Sequence, residues 1–348
     1  MGDIYVYAGI SRQGYHQQVK RNQNRVIVDT RLLELTKEIR EDHPRMGARK
    51  LFKLLMLSGT MGINKFEELL SANGLGIRQK RSSHITTNSN HSWRKYRNLI
   101  NGHRLAGVNQ VWASDITYYM IGESVYYITF MMDVYSRRIL AYSVSDNMLH
   151  GNNIDVLNNS IKLRKNVNLS GLIHHSDKGS QYCSNAYIQI LNGINAQISM
   201  ANTSIENPYV ERLNGIIKND YLYPRKRATD LKSLRKELKL VVKLYNEVRP
   251  HMELGDLTPI EFERKSLEQA HRKNAEMELY NFDLKPEQRF LEAYTNRIIE
   301  EKKPADLVSA DFNHSPRSNY SSESCSSAEL SSASFDNVNI EIKIKVDN

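Results

Sequence analysis

The chain has 348 residues, 40% hydrophobic and 25% charged, enough for two folded domains or one enlarged core with appendages. No stretch approaches the roughly 18 apolar residues of a membrane span, and the opening MGDIYVYAGISRQGYHQQ lacks the basic start and apolar run of a signal peptide, so a cytoplasmic protein without membrane partners is expected. Two distant cysteines, Cys183 and Cys325, exclude a disulfide framework or a Cys-x-x-Cys zinc site. The net charge of +9 is uneven: residues 1–265 carry 38 basic and 24 acidic side chains, residues 266–348 carry 10 and 15. The basic part is the expected nucleic-acid surface, although mild basicity alone also serves solubility.

After an N-terminal segment, 1–29, the apolar spacing between Thr30 and Asn73 is helical: Leu32, Leu33, Leu35 and Ile39, then Leu51, Leu54 and Leu55, then Phe66, Leu69 and Leu70. Three short helices are predicted, broken around Pro44 and at 58–62, with Gly74 stopping the third. Residues 30–81 thus read as a helix-turn-helix-like DNA-binding domain, with helices near 47–57 and 63–73 followed by the basic run IRQKRSSH. The polar stretch from about 82 to 107 reads as a linker.

From residue 108 the period becomes that of strands. VWASDITYYM, SVYYITFMMDV and RRILAYSVSD are separated by turns at 122–124 and 135–137, short enough for an antiparallel meander. A helix at 151–164, a strand at 171–175, a helix at 184–192, a strand at 196–200 and a long helix at 206–221 follow, with another at 231–248. The expected fold is α/β, a mixed sheet covered by helices on both faces. Residues 266–303 read as a helical extension. The tail, 304–348, has ten serines in 315–334 and too few large apolar groups to offset ordering entropy, while IEIKIKV at 340–346 alternates like a strand.

Asp115 lies inside the first strand between Trp112, Ile116 and Tyr119, where an unpartnered carboxylate is costly and a metal or hydrogen-bond donor offsets that cost. Asp177 follows LIHHS at the carboxyl end of a strand, where α/β sheets place their sites. In ENPYVERLNGIIKNDY, Asn207, Glu211, Asn214 and Lys218 recur at i, i+4, i+7 and i+11 and share one helix face, opposite Val210, Leu213, Ile217 and Tyr221. Each acid alone reads equally well as a turn, cap or surface residue. His174 and His175 lack companions at zinc-ligand spacing and read as packed, as does Cys183.

WASDIT, MMDVYSRR, HHSDKGSQYCS, NPYVERLNGIIK and YNEVRPHMELGDLTPIEF, in that order, resemble an integrase-type transposase with an Asp-Asp-Glu active site, and more narrowly the second reading-frame product of insertion sequences in the IS-three group. The resemblance covers about residues 30–265. It implies an RNase H-like catalytic core over 108–265 that performs metal-dependent DNA strand cleavage and strand transfer, with Asp115, Asp177 and Glu211 binding two Mg²⁺ or Mn²⁺ ions and serving catalysis. It implies DNA contacts at Lys178, Asn207, Arg212 and Lys218, the element's terminal repeats and target DNA as partners, homo-oligomerisation on DNA, and an upstream helix-turn-helix partner or frameshift fusion. The 33 residues between Asp177 and Glu211 are two short of the usual spacing, and Thr203-Ser204-Ile205 replaces the usual Lys-Gly. Glu206 is therefore a rival third acid, and a DNA-binding descendant that no longer cuts is the alternative function.

Overall fold

The computed structural model describes residue 9 and residues 11–77, 94–268 and 276–281. The first helix, α1 (Arg12–Asp42), begins 18 residues before the expected start at Thr30. Its first half is almost wholly exposed, so no apolar stripe announced it; it is held by a cap, Gly14 N–H donating to Ser11 Oγ at 2.9 Å. α2 (Ala48–Leu54) and α3 (Ile63–Ala72) then form the expected pair. Leu32, Met46, Leu51, Phe52, Leu57, Phe66 and Leu70 make a separate small core for this helical module. Gly74, with a positive φ of 70°, lets Leu75 N–H reach back to the Leu70 carbonyl at 2.8 Å, which ends α3 as predicted. The IRQKRSSH run lies, apart from Ile77, outside the described residues.

Strands β1 (Val111–Ile121), β2 (Ser124–Asp133) and β3 (Ile139–Ser145) form the predicted meander. β4 (Ile173–Ser176) pairs parallel to β1, and β5 (Gln197–Met200) parallel to β4, so the sheet order is β3-β2-β1-β4-β5. This mixed arrangement is the RNase H-like architecture. Strand alternation sorts the side chains between two cores. Trp112 and Met131 face α4 (His150–Leu163) and α5 (Asn185–Gly193). Ala113, Phe130 and Met132 face α6 (Pro208–Ile216) and α7 (Leu231–Glu247). The expected long helix runs on past α6, but Ile217–Leu222 is a π-helical stretch, a form rare in proteins and frequent near functional sites.

The supposed linker is partly core. Residues 78–93 lie outside the described residues, but beyond them Ile100 and Leu105 are fully buried, Leu99 N–H donates to Ser199 Oγ at 2.9 Å, and Arg104–Leu105 pairs with Met277–Glu278. Of the expected helical extension, only 266–268 is described as helix, as the end of α8 (Pro259–Glu268), and 276–281 is extended. The rest of the extension and the serine-rich tail lie outside the described residues. The closing block YNEVRPH is structural: Asn246 bonds both the N–H and the carbonyl of Ile139, at 3.0 and 2.9 Å. No helix among the described residues is long and apolar enough to cross a membrane.

Candidate active site

Asp115 stands at the centre of β1, on the same face as Val111 and Ala113 and hence toward α6. β4 pairs His175 with Ala113, and Asp177 begins the loop just beyond that strand's carboxyl end. Continuing the parallel register by two residues sets Asp177 abreast of Asp115. Gly179 N–H holds the Asp177 side chain at 2.9 Å, and a methyl group at position 179 would come within 2.9 Å of the same oxygen. Only glycine leaves that carboxylate where it is.

Two buried asparagines fix α6 against β1. Asn207, at the helix N-cap, donates to the Ser114 carbonyl at 3.2 Å, and Asn214 donates to Asp115 Oδ2 at 2.8 Å. The face expected to be polar and open is therefore turned partly inward, and Asn207, only 2% exposed, clamps helix to strand. Glu211 lies between the two clamps in sequence and remains exposed.

Burial, then the negative charge of Asp177 and, more weakly, of Glu211, lift the Asp115 carboxyl well above the usual carboxylate range, while Lys218 pulls the other way. Asp177 and Glu211 thus both act on Asp115. The Glu206 carboxylate is engaged elsewhere: it accepts from Asn98 Nδ2 at 2.8 Å and from Asn202 N–H at 2.9 Å, bracing the loop after β5. Half-buried Lys218, its pKa lowered by desolvation, sets its ammonium 5.0 Å from the centre of the Tyr118 ring.

The remaining predicted contacts fall elsewhere. Lys178 Nζ donates to Asn202 Oδ1 at 2.8 Å, and Arg212 pairs with Glu253. His174 and His175 are packed as expected, the first with Tyr187 OH at 2.8 Å and the second between Ser199 Oγ at 2.8 Å and the Glu206 carbonyl at 3.0 Å. Burial lowers their pKa values to about 3 and about 4, so both are neutral near pH 7. Cys183 is buried, and desolvation raises its thiol pKa. Asn214 shares the polar face with Glu211, and its place three residues after that acid is the sequence signal for its supporting role.

Among the described residues no three His, Cys, Asp or Glu side chains converge closely enough to hold an ion as they lie. The donor chemistry nevertheless fits a hard divalent cation. Asp115, Asp177 and Glu211 offer oxygen ligands only, and their mutual repulsion on a buried carboxylate is what a cation relieves.

Family models described as integrase core domain match residues 106–204 and 192–259. The insertion element IS600 uncharacterized 31 kDa protein of Shigella sonnei is 32% identical over 266 residues, 74% of this chain and 96% of its own length. The chain belongs to the integrase-core transposases of IS3-group insertion sequences. Transposase InsF for insertion sequence IS3A of Escherichia coli K12 is 30% identical over 47% of this chain and 56% of its own. Among solved structures, the HTLV-2 integrase catalytic core domain in complex with magnesium matches 45% of this transposase and 97% of that chain, with 19% identity and a TM-score of 0.36.

Proposed function

We propose that this transposase cuts and joins DNA at Asp115, Asp177 and Glu211, with two divalent ions, Mg²⁺ or Mn²⁺, as its cofactor. The observation that carries this reading is one buried aspartate, fixed by Asn214 and within electrostatic range of two further carboxylates. When bound, paired ions of this kind activate an attacking oxygen and stabilise the leaving one in phosphodiester chemistry. The chain's own residues do the rest. Asp115, Asp177 and Glu211 would hold the ions through their carboxylate oxygens, and Asn214 keeps the Asp115 carboxylate from rotating. Lys218, held by Tyr118 beside the acids, contacts the DNA end, and Lys178 lies on the neighbouring loop.

The reaction is hydrolytic nicking at the element's ends, followed by direct attack of the exposed 3′ hydroxyl on a second phosphodiester. No side chain forms a covalent intermediate. The helical module reads DNA, and the protein works as an oligomer on DNA, together with an upstream helix-turn-helix partner or as a fusion to it. Nicking and joining of a fragment bearing the element's own ends, with Mg²⁺ or Mn²⁺, tests this. Asp177→Asn and Glu211→Gln are each expected to lose activity by at least about a hundredfold, while Glu206→Gln keeps it. Activity surviving Glu211→Gln would refute the third acid, and a native protein that binds these ends without ever cutting them would be the non-cutting descendant.

A further inference from the structure

On the side of α6 that carries Arg212, four cations crowd together: Arg137 from the turn after β2, Arg212, Arg249 from the end of α7, and Lys50 from the helical module. Among the described residues two acids pair with them, Glu253 and Asp220. Glu253 spans Arg137 and Arg212, one carboxylate oxygen to each, with Arg137 Nη2 at 3.3 Å. Asp220 binds Arg249 Nη2 at 2.7 Å. Electrostatically, Lys50 acts on and is acted on by this same group, and His251 at its centre is held neutral by burial and by the four cations around it.

The cluster is short of acceptors. Arg137 Nε and Nη1, Arg249 Nε and His251 Nε2 are buried without a hydrogen-bond partner among the described residues, although the Arg137 guanidinium gains something from stacking 4.5 Å over the Tyr209 ring. Arg249 is 4% exposed and His251 9%. Buried donors left unpaired around an excess of positive charge are what an anion site looks like without its anion. The site also has a mouth, because the Arg212 and Glu253 side chains are 65% and 44% exposed. Glu253 sits on a single 3₁₀ turn, Met252–Leu254, closed by Gly255 at a positive φ of 64°, so it can swing aside without disturbing the sheet.

We propose that the Glu253 carboxylate is a displaceable occupant of a phosphate seat, and that a DNA backbone phosphate takes its place between Arg137 and Arg212. A phosphodiester carries two non-bridging oxygens in the same fork as a carboxylate and matches paired guanidinium donors. Arg212 follows Glu211 directly in α6, so the seated phosphate lies close along the helix to the acids, and Lys50 makes the helical module part of the same grip. The proposal rests on the transposase reading above for its choice of DNA as ligand.

The test is the affinity of the full chain for a fluorescein-labelled random-sequence duplex of about 30 base pairs, followed by anisotropy over a salt series, since each phosphate contact adds roughly 0.9 to the slope of log K against log salt. Glu253→Gln removes the competing charge and is expected to tighten binding roughly three- to tenfold at low salt. Arg137→Gln with Arg212→Gln is expected to reduce the slope by about 1. Thermal melting checks that each variant is folded; should the double variant unfold, Glu253→Gln, which keeps side-chain size, decides alone. Unchanged affinity in Glu253→Gln with an unchanged slope in the double variant overturns the seat. Calorimetric uptake of inorganic phosphate by Glu253→Gln with no change toward duplex overturns the DNA assignment and leaves a free-phosphate site. A native protein that nicks DNA while Glu253→Gln binds like native sinks this inference alone; one that binds no duplex sinks the transposase reading with it.

Discussion

At Asp115 the requirements of folding and of chemistry oppose each other. A carboxyl buried beside Asp177 and Glu211 is held above its usual range, so near neutral pH its ionised form costs stability, and that cost is relieved as pH falls or as a cation arrives. Asp115→Asn keeps the shape and the contact with Asn214 while removing the repulsion. It is expected to abolish nicking yet raise the melting temperature by a few degrees in metal-free buffer. Mg²⁺ should raise the melting temperature of the native chain and not that of the variant. Melting curves with and without Mg²⁺ check both statements, and a variant that melts lower than native would show that Asp115 is structural. Asn214 belongs to the same scale: its single bond to Asp115 Oδ2 fixes which oxygen is free, and such supporting contacts are commonly worth ten- to a hundredfold in a site of this kind.

Among elements, α8 matters most for the back of the sheet. Its Glu263, almost fully buried, meets Arg164 through two bonds of 2.7 Å and Arg138 through one of 2.6 Å. Burial alone would raise this carboxyl, but the two arginines outweigh it and hold it below its usual range. Glu263→Ala would strand two arginines around an empty place and is expected to cost about 3 to 5 kcal/mol in a denaturant titration; a loss under 1 kcal/mol would mean water replaces the acid. The block GDLTPIEF, which read as part of the family pattern, thus works as an anchor joining α8 to α4 and to the β2–β3 turn. The π-helical stretch is the other element with a visible consequence. Tyr221 on it is fully buried and Asp220 pairs with Arg249, so the helix that carries Glu211 and Lys218 is tied at its far end to both the cationic cluster and the helical module.

Across the whole molecule, polar contacts dock the helical module on the core: His43 Nδ1 with Tyr221 OH at 2.8 Å, Arg225 with the Asp42 carbonyl at 3.1 Å, and Lys53 with Asp256 at 3.2 Å. Burial, then Arg249, Arg225 and Lys50, depress the His43 pKa from 6.5 to about 4. Because its folded value lies below its unfolded one, His43 binds its proton only when exposed, so stability falls as pH drops from about 6.5 toward 4. Urea midpoints at pH 7 and pH 5 should show this loss, and His43→Gln should remove one proton's share of it, up to about 1.4 kcal/mol per pH unit. An unaltered pH slope in the variant would show that His43 is charged in the fold.

Much of this was legible in the chain. The change from helical to strand periodicity, the meander and the following αβαβα order follow from local patterning, because side-chain alternation and helix spacing are properties of neighbouring residues, while Asp115, Asp177 and Glu211 were singled out by the resemblance of the blocks that carry them. What needed tertiary structure were the contacts between residues far apart in sequence. Asn214 reaches Asp115 across 99 positions, Asn98 takes Glu206 across 108 and Asn207 turns inward to the Ser114 carbonyl across 93. The exposed first half of α1 carries no apolar stripe to read, and the packing of 94–107 depends on a strand partner 174 positions away for Arg104 with Glu278 and 172 for Leu105 with Met277. The sequence by itself determined the order of the elements and the candidate acids; folding decided which of its polar groups are spent on holding them in place, since burial and pairing are set by what the rest of the chain brings alongside.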